Sequence, residues 1–334
     1  MGSRKAAGGR GGKWKRRIKI ATAVALVALI GWGYGYFRFC LSRPEGMGPA
    51  GPAVPRELFA GRWTDRKVVM LGIGDSITAG FGVPPEQAYF RRLLANPPDE
   101  FEGMNGITLS AVLPGIESRN LSESGSTSLR HEKVIAGLDK FPPDVLGVVV
   151  MTTGGNDIIH DYGRGTPREG AMYGATLSQA VPWIEAFQKR LDRMVAALED
   201  RFPGGCHIFL ANIYDPTDGS GDPDGAVPAP IRLLGAEGLP DWPDAMEVHR
   251  RYNEAIAACA RRHASVHLVD IHSAFLGHGI HCRKFWRSTY RRDDPYFWYL
   301  TFLEDPNPRG QDAIRRLFLL EMAAVLRGGA KGDE

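Results

Sequence analysis

The chain has 334 residues, 43% of them hydrophobic and 24% charged, an ordinary globular composition with length for one substantial core plus additions. Its formal net charge of +3 conceals an asymmetry: ten of the 41 basic residues and none of the 38 acids fall in residues 1–44, so the remainder carries 31 basic against 38 acidic residues. A body with that balance lacks the basic stripe that a phosphate backbone requires, which excludes nucleic acid as its partner.

Residues 1–19 form a basic N-terminus, with Arg4, Lys5, Arg10, Lys13, Lys15, Arg16, Arg17 and Lys19. From Ile20 to Phe37 the chain has eighteen uncharged, mostly apolar residues. As a helix they measure about 27 Å, close to the hydrocarbon thickness of a bilayer, and residues 20–39 read as a transmembrane signal anchor. The positive-inside rule then places the N-terminus in the cytoplasm and the body outside it. Trp32, Tyr34, Tyr36 and Phe37 fall at the far interface. The next residues, Arg38-Phe39-Cys40-Leu41, do not form a small-x-small cleavage site, which favours an uncleaved anchor over secretion after signal cleavage. Residues 40–59, rich in Pro and Gly, read as a linker that lets the body, 60–334, stand off the membrane. Outside the cytoplasm two of Cys206, Cys259 and Cys282 are able to pair, and the sequence does not choose which.

In the body, apolar β-branched runs predict strands at Lys67–Ile73, Ile107–Leu113, Val145–Met151, His207–Ile213 and Val266–Ile271. Helical patterns fall at 87–95, 127–138, 176–202, 243–264 and 310–327. The longest repeats Ile184, Phe187, Leu191, Met194 and Leu198 at three- and four-residue steps. The alternation predicts an α/β fold, a three-layer α/β/α arrangement around a central parallel sheet. Segments 158–173 and 215–242, rich in Gly, Pro and Asp, read as loop insertions. Ser76, Asn156 and Asp215 each come after a predicted strand and so project at one rim, where such sheets gather their functional groups.

Three short blocks carry a resemblance. Gly74-Asp75-Ser76-Ile77-Thr78, Asn120-Leu121-Ser122-Glu123-Ser124-Gly125-Ser126-Thr127 and Gly154-Gly155-Asn156-Asp157 resemble, in order and spacing, the first three sequence blocks of the SGNH (GDSL) hydrolases. The resemblance extends over about residues 66–325 and implies that family's flavodoxin-like fold and its esterase chemistry. A serine hydroxyl is a weak nucleophile until a base takes its proton, and attack on an acyl carbonyl builds an oxyanion that needs preorganised donors. The resemblance implies Ser76 as nucleophile, with its own backbone N–H as one donor, Gly125 N–H as the second and the Asn156 side-chain amide as the third. Asp157 reads as a brace for its loop.

The last block departs from the family pattern. The family's Asp-x-x-His-Pro-Asn-x-x-Gly appears here as Phe302-Leu303-Glu304-Asp305-Pro306-Asn307-Pro308-Arg309-Gly310. Asp305 stands where the histidine base belongs and Phe302 where its orienting aspartate belongs. Two replacements suggest themselves. His278 or His281, in a Gly277-His278-Gly279-Ile280-His281 stretch similar to the family's Asp-Gly-x-His, would reach Ser76 with Asp305 as the orienting carboxylate; this is the expectation we favour. Alternatively Asp305 or Glu304 acts as the base directly, which requires burial to raise a carboxylate pKa that is ordinarily near 4. His160 has a weaker claim, in an Asp157-x-x-His160 outline within the wrong block. The aromatic segment 285–302 reads as a cover packed on the sheet or as an acyl-binding wall. His278, His281 and Asp293-Asp294 show no compact metal-ligand spacing, and the chemistry expected needs no cofactor. The sequence thus points to a membrane-anchored serine esterase that acts through an acyl-serine intermediate on a small-molecule ester, or an ester of lipid or glycan. The alternatives are an inactive lipid- or glycan-binding module, suggested by the change at 305, and an O-acyltransferase.

Overall fold

The computed structural model describes residues 10–221, 239–300 and 304–329. A long apolar helix, α1 (Arg10–Tyr36), continues through one π-helical turn at Phe37–Leu41. The segment after it is not a free tether, contrary to the linker expected at 40–59. It lies strapped along the body: the Pro44 carbonyl accepts from Phe297 N–H (2.9 Å), the Met47 carbonyl from Arg309 (2.9 Å), and Ala50 N–H donates to Asp312 (3.3 Å). Ala50 and Val54 are buried in the core.

Five strands form one parallel sheet in the order β2-β1-β3-β4-β5: β1 (Lys67–Ile73), β2 (Glu117–Asn120), β3 (Val145–Thr152), β4 (Cys206–Ala211) and β5 (Val266–Val269). Because successive side chains alternate across a strand, the sheet splits its apolar residues between two cores. Val68, Met70, Val148, Val150 and Phe209 face one layer, and Val69, Leu71, Ile73, Val149, Met151, Ile208 and Leu210 face the other. The first layer holds the short helices α2 (Ser76–Ala79), α3 (Tyr89–Leu94) and α4 (Leu109–Val112), together with α9 (Ile271–Phe275) and α10 (Pro308–Gly329). The second holds α5 (Ser128–Ala136), the five-residue α6 (Gly155–Ile159), α7 (Leu177–Arg201) and α8 (Ala245–Arg262). The start of α7 is set by a reciprocal cap between Thr176 and Gln179, and its repeat Ile184, Phe187, Leu191, Met194 and Leu198 is buried as the periodicity predicts.

Two expectations need correction. The apolar run Ile107–Leu113 is not a strand: it buries Ile107, Leu109, Val112 and Leu113 around the short helix α4. The second strand is the exposed Glu-Ser-Arg-Asn at 117–120, an edge strand pairing only with β1, whose polar residues give no apolar signal. The cysteines form no disulfide. Cys206, Cys259 and Cys282 are free and buried, and burial pushes their thiols up to about 12, 11 and 12 respectively.

Candidate active site

The end of β1 is built to stop abruptly. A side chain at Gly74 would lie 2.3 Å from Thr152 Oγ1, so only glycine lets the end of β1 close against the end of β3. Asp75 then caps α2, its Oδ1 accepting from Ile77 N–H (3.1 Å) and from Thr152 Oγ1 (3.0 Å). A chain from Tyr89 Oη through Thr78 Oγ1 (2.6 Å) to Thr152 Oγ1 (2.8 Å) continues behind it. Ser76 is the first residue of α2, half-exposed at the carboxyl rim of the sheet.

The other two blocks are bonded to this turn. Leu121 and Glu123 donate backbone N–H groups to the carbonyls of Gly72 (2.8 Å) and Gly74 (3.0 Å), and Asn120 Nδ2 donates to Thr78 O (2.9 Å). Gly125 comes next at φ +78°, in the left-handed region, with open space where a side chain would stand. Asn156, in α6 after β3, donates one Nδ2 hydrogen to Ser126 O (2.9 Å) and keeps a second. Asp157 is fully buried and accepts from Ser128 N–H (2.8 Å) and the Ser128 hydroxyl, so it ties α6 to α5. Asp215, expected at the same rim, is consumed in its own turn, where it accepts from Thr217 and Gly219 N–H groups.

His131, which the sequence reading did not single out, sits behind all three blocks. On α5 its Nε2 meets Ser126 Oγ (2.7 Å), which donates to Gly74 O (3.0 Å), and its Nδ1 meets Thr153 Oγ1 (2.8 Å). Burial pushes its pKa down to about 4, so the ring is neutral and serves as a fixed donor–acceptor bridge. The available clue was its spacing: Ser128, His131 and Ile135 recur on the buried face of a helix, which sets an imidazole facing inward.

The last block delivers Asp305. Asn307 shapes this turn, donating through its N–H to Trp298 O (2.9 Å) and through Nδ2 to Phe297 O (2.9 Å), while its Oδ1 accepts from Arg309 and Gly310 N–H at the start of α10 (both 3.0 Å). So held, Asp305 is 6% exposed, and its carboxylate lies near enough to the Ser76 hydroxyl to be stabilised by it. Burial pushes the Asp305 carboxyl up to about 6; the nearby Ser76 hydroxyl opposes the rise and the charge of Glu304 adds to it. Asp75 is pushed up to about 7, chiefly by burial, against its bonds from Thr152 and Ile77, with the Asp305 charge adding. Tyr162 Oη donates to the Glu304 carboxylate and Tyr214 Oη to the Glu304 carbonyl (2.9 Å). Tyr162 (φ +49°) and Asp161 (φ +64°) are consecutive non-glycine residues in the left-handed region, a conformation costing on the order of 1–3 kcal/mol each. The bonds Tyr162–Glu304 and Asp161–Arg168 (2.7 Å) hold them there, so the 158–173 insertion reaches to the last block. Phe302 lies outside the described residues.

His278 and His281 are engaged elsewhere. His278 stacks on Trp298 (ring centroids 3.5 Å apart) and its Nδ1 meets Tyr296 O (3.2 Å); burial pushes its pKa down to about 4. His281 donates its backbone N–H to Asp218 (2.8 Å), which also accepts from Gly277 and Gly279, and its Nε2 lies 3.3 Å from Ser220 Oγ. The group placed against the Ser76 hydroxyl is Asp305 and neither imidazole. His160 is paired with its neighbour Asp161 (3.5 Å). Asp294 is paired with Arg309 (2.7 Å). Among the described residues His278, His281 and Asp293-Asp294 form no cluster able to hold an ion; the grouping that does form is Asp192, Cys259 and His263, in which Asp192 is paired with Arg262 (2.6 Å) and His263 (2.9 Å). The aromatic segment divides: Phe297, Trp298 and Tyr299 are core, while Phe285 and Trp286 are exposed.

A serine on the turn that ends the first strand of a parallel α/β/α sheet, with a buried carboxylate nearby, is an arrangement able to support nucleophilic attack on acyl esters. Residues 73–313 match the model of the GDSL-like Lipase/Acylhydrolase family, and the chain belongs to that family. It is therefore an enzyme of the esterase and lipase kind. Among solved structures it is similar to a catalytic mutant of Axe2, an acetylxylan esterase from Geobacillus stearothermophilus (17% identity, TM-score 0.45, covering 78% of this chain and 94% of that one). It is also similar to the psychrotrophic esterase EstA from Pseudoalteromonas sp. (16% identity, TM-score 0.40, 77% and 97%). A third is a member of the lipolytic protein G-D-S-L family from Veillonella parvula (13% identity, TM-score 0.42, 77% and 97%). Comparison with curated proteins returned no match.

Proposed function

We propose that Ser76 is the nucleophile of an ester hydrolase and that Asp305 is its general base without an intervening imidazole. The observation that carries this reading is the placement of the buried Asp305 carboxylate beside the Ser76 hydroxyl. A solvated carboxylate is too weak a base for a serine proton. At about 6, however, Asp305 holds a proton about 3 kcal/mol more tightly than its ordinary value allows, close to the strength of an unperturbed imidazole. Asp305 takes the Ser76 proton as the hydroxyl attacks the ester carbonyl, then returns it to the departing alkoxide. The acyl group remains on Ser76, and a water activated by the same carboxylate releases it. Ser76 N–H, Gly125 N–H and the second hydrogen of Asn156 Nδ2 face the oxyanion. The change at 305 thus exchanges one base for another, which removes the ground for an inactive binding module. The substrate class is an ester of a lipid or glycan.

Membrane anchorage is the second part of the proposal. One apolar helix near the N-terminus, its apolar stretch not buried against the body, is long enough to span a bilayer. The basic residues ahead of it support a cytoplasmic N-terminus and an extracytoplasmic body.

A fluorophosphonate probe tests the catalytic part. Intact-mass and peptide analysis should find the adduct on Ser76, with none in Ser76→Ala; labelling that persists in Ser76→Ala would remove Ser76 from the mechanism.

A further inference from the structure

The body carries an exposed aromatic pair whose place in the fold gives it a partner. Phe285 and Trp286 are 59% and 57% exposed, and they pack edge to face on each other with ring centroids 5.0 Å apart. Their other aromatic neighbour is Phe39, at 5.3 Å from Phe285 and 6.4 Å from Trp286, on the turn that ends the apolar helix α1. Large aromatic rings left in water at one spot mark an interaction site, and this one adjoins the apolar helix end.

The strap fixes the spacing. Pro44, whose carbonyl is bonded to Phe297 of the body, stands only three residues beyond Leu41, the last of the helical turn. Fully extended, three residues span about 10 Å, so the body cannot retreat far from the helix end. With Ile20–Phe37 filling the hydrocarbon, Phe39 stands one half-turn beyond it, roughly 3 Å further along the axis. The headgroup layer is about 5–8 Å deep on each side, so rings in contact with Phe39 lie within it. That layer is where Trp and Phe rings are favoured, their faces against acyl chains and the indole N–H among polar groups. Beside the pair, Lys284, Arg287 and Arg292 lie at or near the surface, with Asp293 next in the chain, which leaves a net positive charge suited to lipid phosphates.

We propose that Phe285 and Trp286, with Phe39, form an interfacial foot that inserts into the headgroup layer of the bilayer crossed by α1 and holds the catalytic body down on the lipid surface. The enzyme then meets its ester at the membrane plane and not at the end of a tether. The proposal rests on reading α1 as a membrane span.

Tryptophan quenching separates the two. The full chain is reconstituted in phosphatidylcholine–phosphatidylglycerol vesicles with or without brominated acyl chains. The emission of Trp286 is obtained as the difference between wild type and Trp286→Phe, and that of Trp32 as the difference between wild type and Trp32→Phe. The foot predicts that brominated lipid removes about half or more of the Trp286 emission, as for an interfacial ring. Quenched Trp32 with unquenched Trp286 overturns the foot and leaves the span standing, whether the patch is then bare or covered by a second copy. Unquenched Trp32 overturns the span and the foot with it. Because Trp286 is exposed, the Phe replacement leaves the core intact, and labelling of Ser76 confirms folding in each variant.

Discussion

The three blocks that surround Ser76 and the single block that carries Asp305 are built on opposite terms. Ser76, Gly125 and Asn156 are held by a lattice of backbone and side-chain bonds that joins the ends of β1 and β3: Gly72 and Gly74 carbonyls, Ser126, Thr152 and the neutral His131. Asp305 hangs from Asn307 on the first turn of α10, and its environment includes Glu304 and the strained Tyr162. The nucleophile side keeps its residues and its geometry together. On the other side Asn307 and Gly310 frame a buried carboxylate. Under the proposed mechanism that turn supplies the acid–base group, because burial gives Asp305 the required proton affinity.

The largest effects test whether the two sides meet at one reaction. Ser76→Ala should remove ester turnover by a factor of about 10⁴ or more. Asp305→Asn, which keeps the shape and loses the base, should cost about 10²–10⁴ in kcat. Asn156→Ala should lower kcat by about 10²–10³ with little change in KM, since its amide acts on charge that appears only in the transition state. On the other side of the comparison, His278→Ala and His281→Ala should each hold kcat within about tenfold of wild type, while melting at lower temperature because His278 stacks on Trp298 and both residues are buried. A loss as large as that of Asp305→Asn in a folded histidine variant would return the base to the 278–281 loop. The smallest effect sharpens the electrostatics. The base must be ionised, so activity should rise with pH through about 6. Glu304→Gln removes a charge that raises the Asp305 pKa, and the acid limb should move to lower pH, read from a profile of kcat/KM. Asp75, near enough to feel the Asp305 charge, titrates close by, so the limb reports the pair together.

Most of the fold was legible because its strands are covered on both faces. Val145–Met151 and Val68–Ile73 are continuous apolar runs, and the α7 repeat is unambiguous. Each failure has a physical reason. Glu117–Asn120 is an edge strand whose side chains are all exposed, so nothing in its composition demands a sheet. Ile107–Leu113 is buried without pairing, and a short apolar run reads alike in both states. The Pro/Gly composition of 40–59 suggested a tether, but its carbonyls and N–H groups find partners on α10 and the 296–297 segment. In the site, the spacing of Ser76, Gly125 and Asn156 was readable because short blocks after strands fix their own positions. The partner of Ser76 was not, since choosing among Asp305, His278 and His281 depends on how a segment more than 200 residues downstream packs against the rim. His131 was hidden because its role is visible only once three separate strand ends lie side by side.

The most direct test is the pH dependence of the fluorophosphonate labelling rate at Ser76. The account predicts an acid limb near pH 6 in wild type and in both histidine variants, and no such limb in a slowly labelled Asp305→Asn. A limb that disappears in His278→Ala or His281→Ala, with Asp305→Asn keeping the wild-type rate and profile, would contradict it.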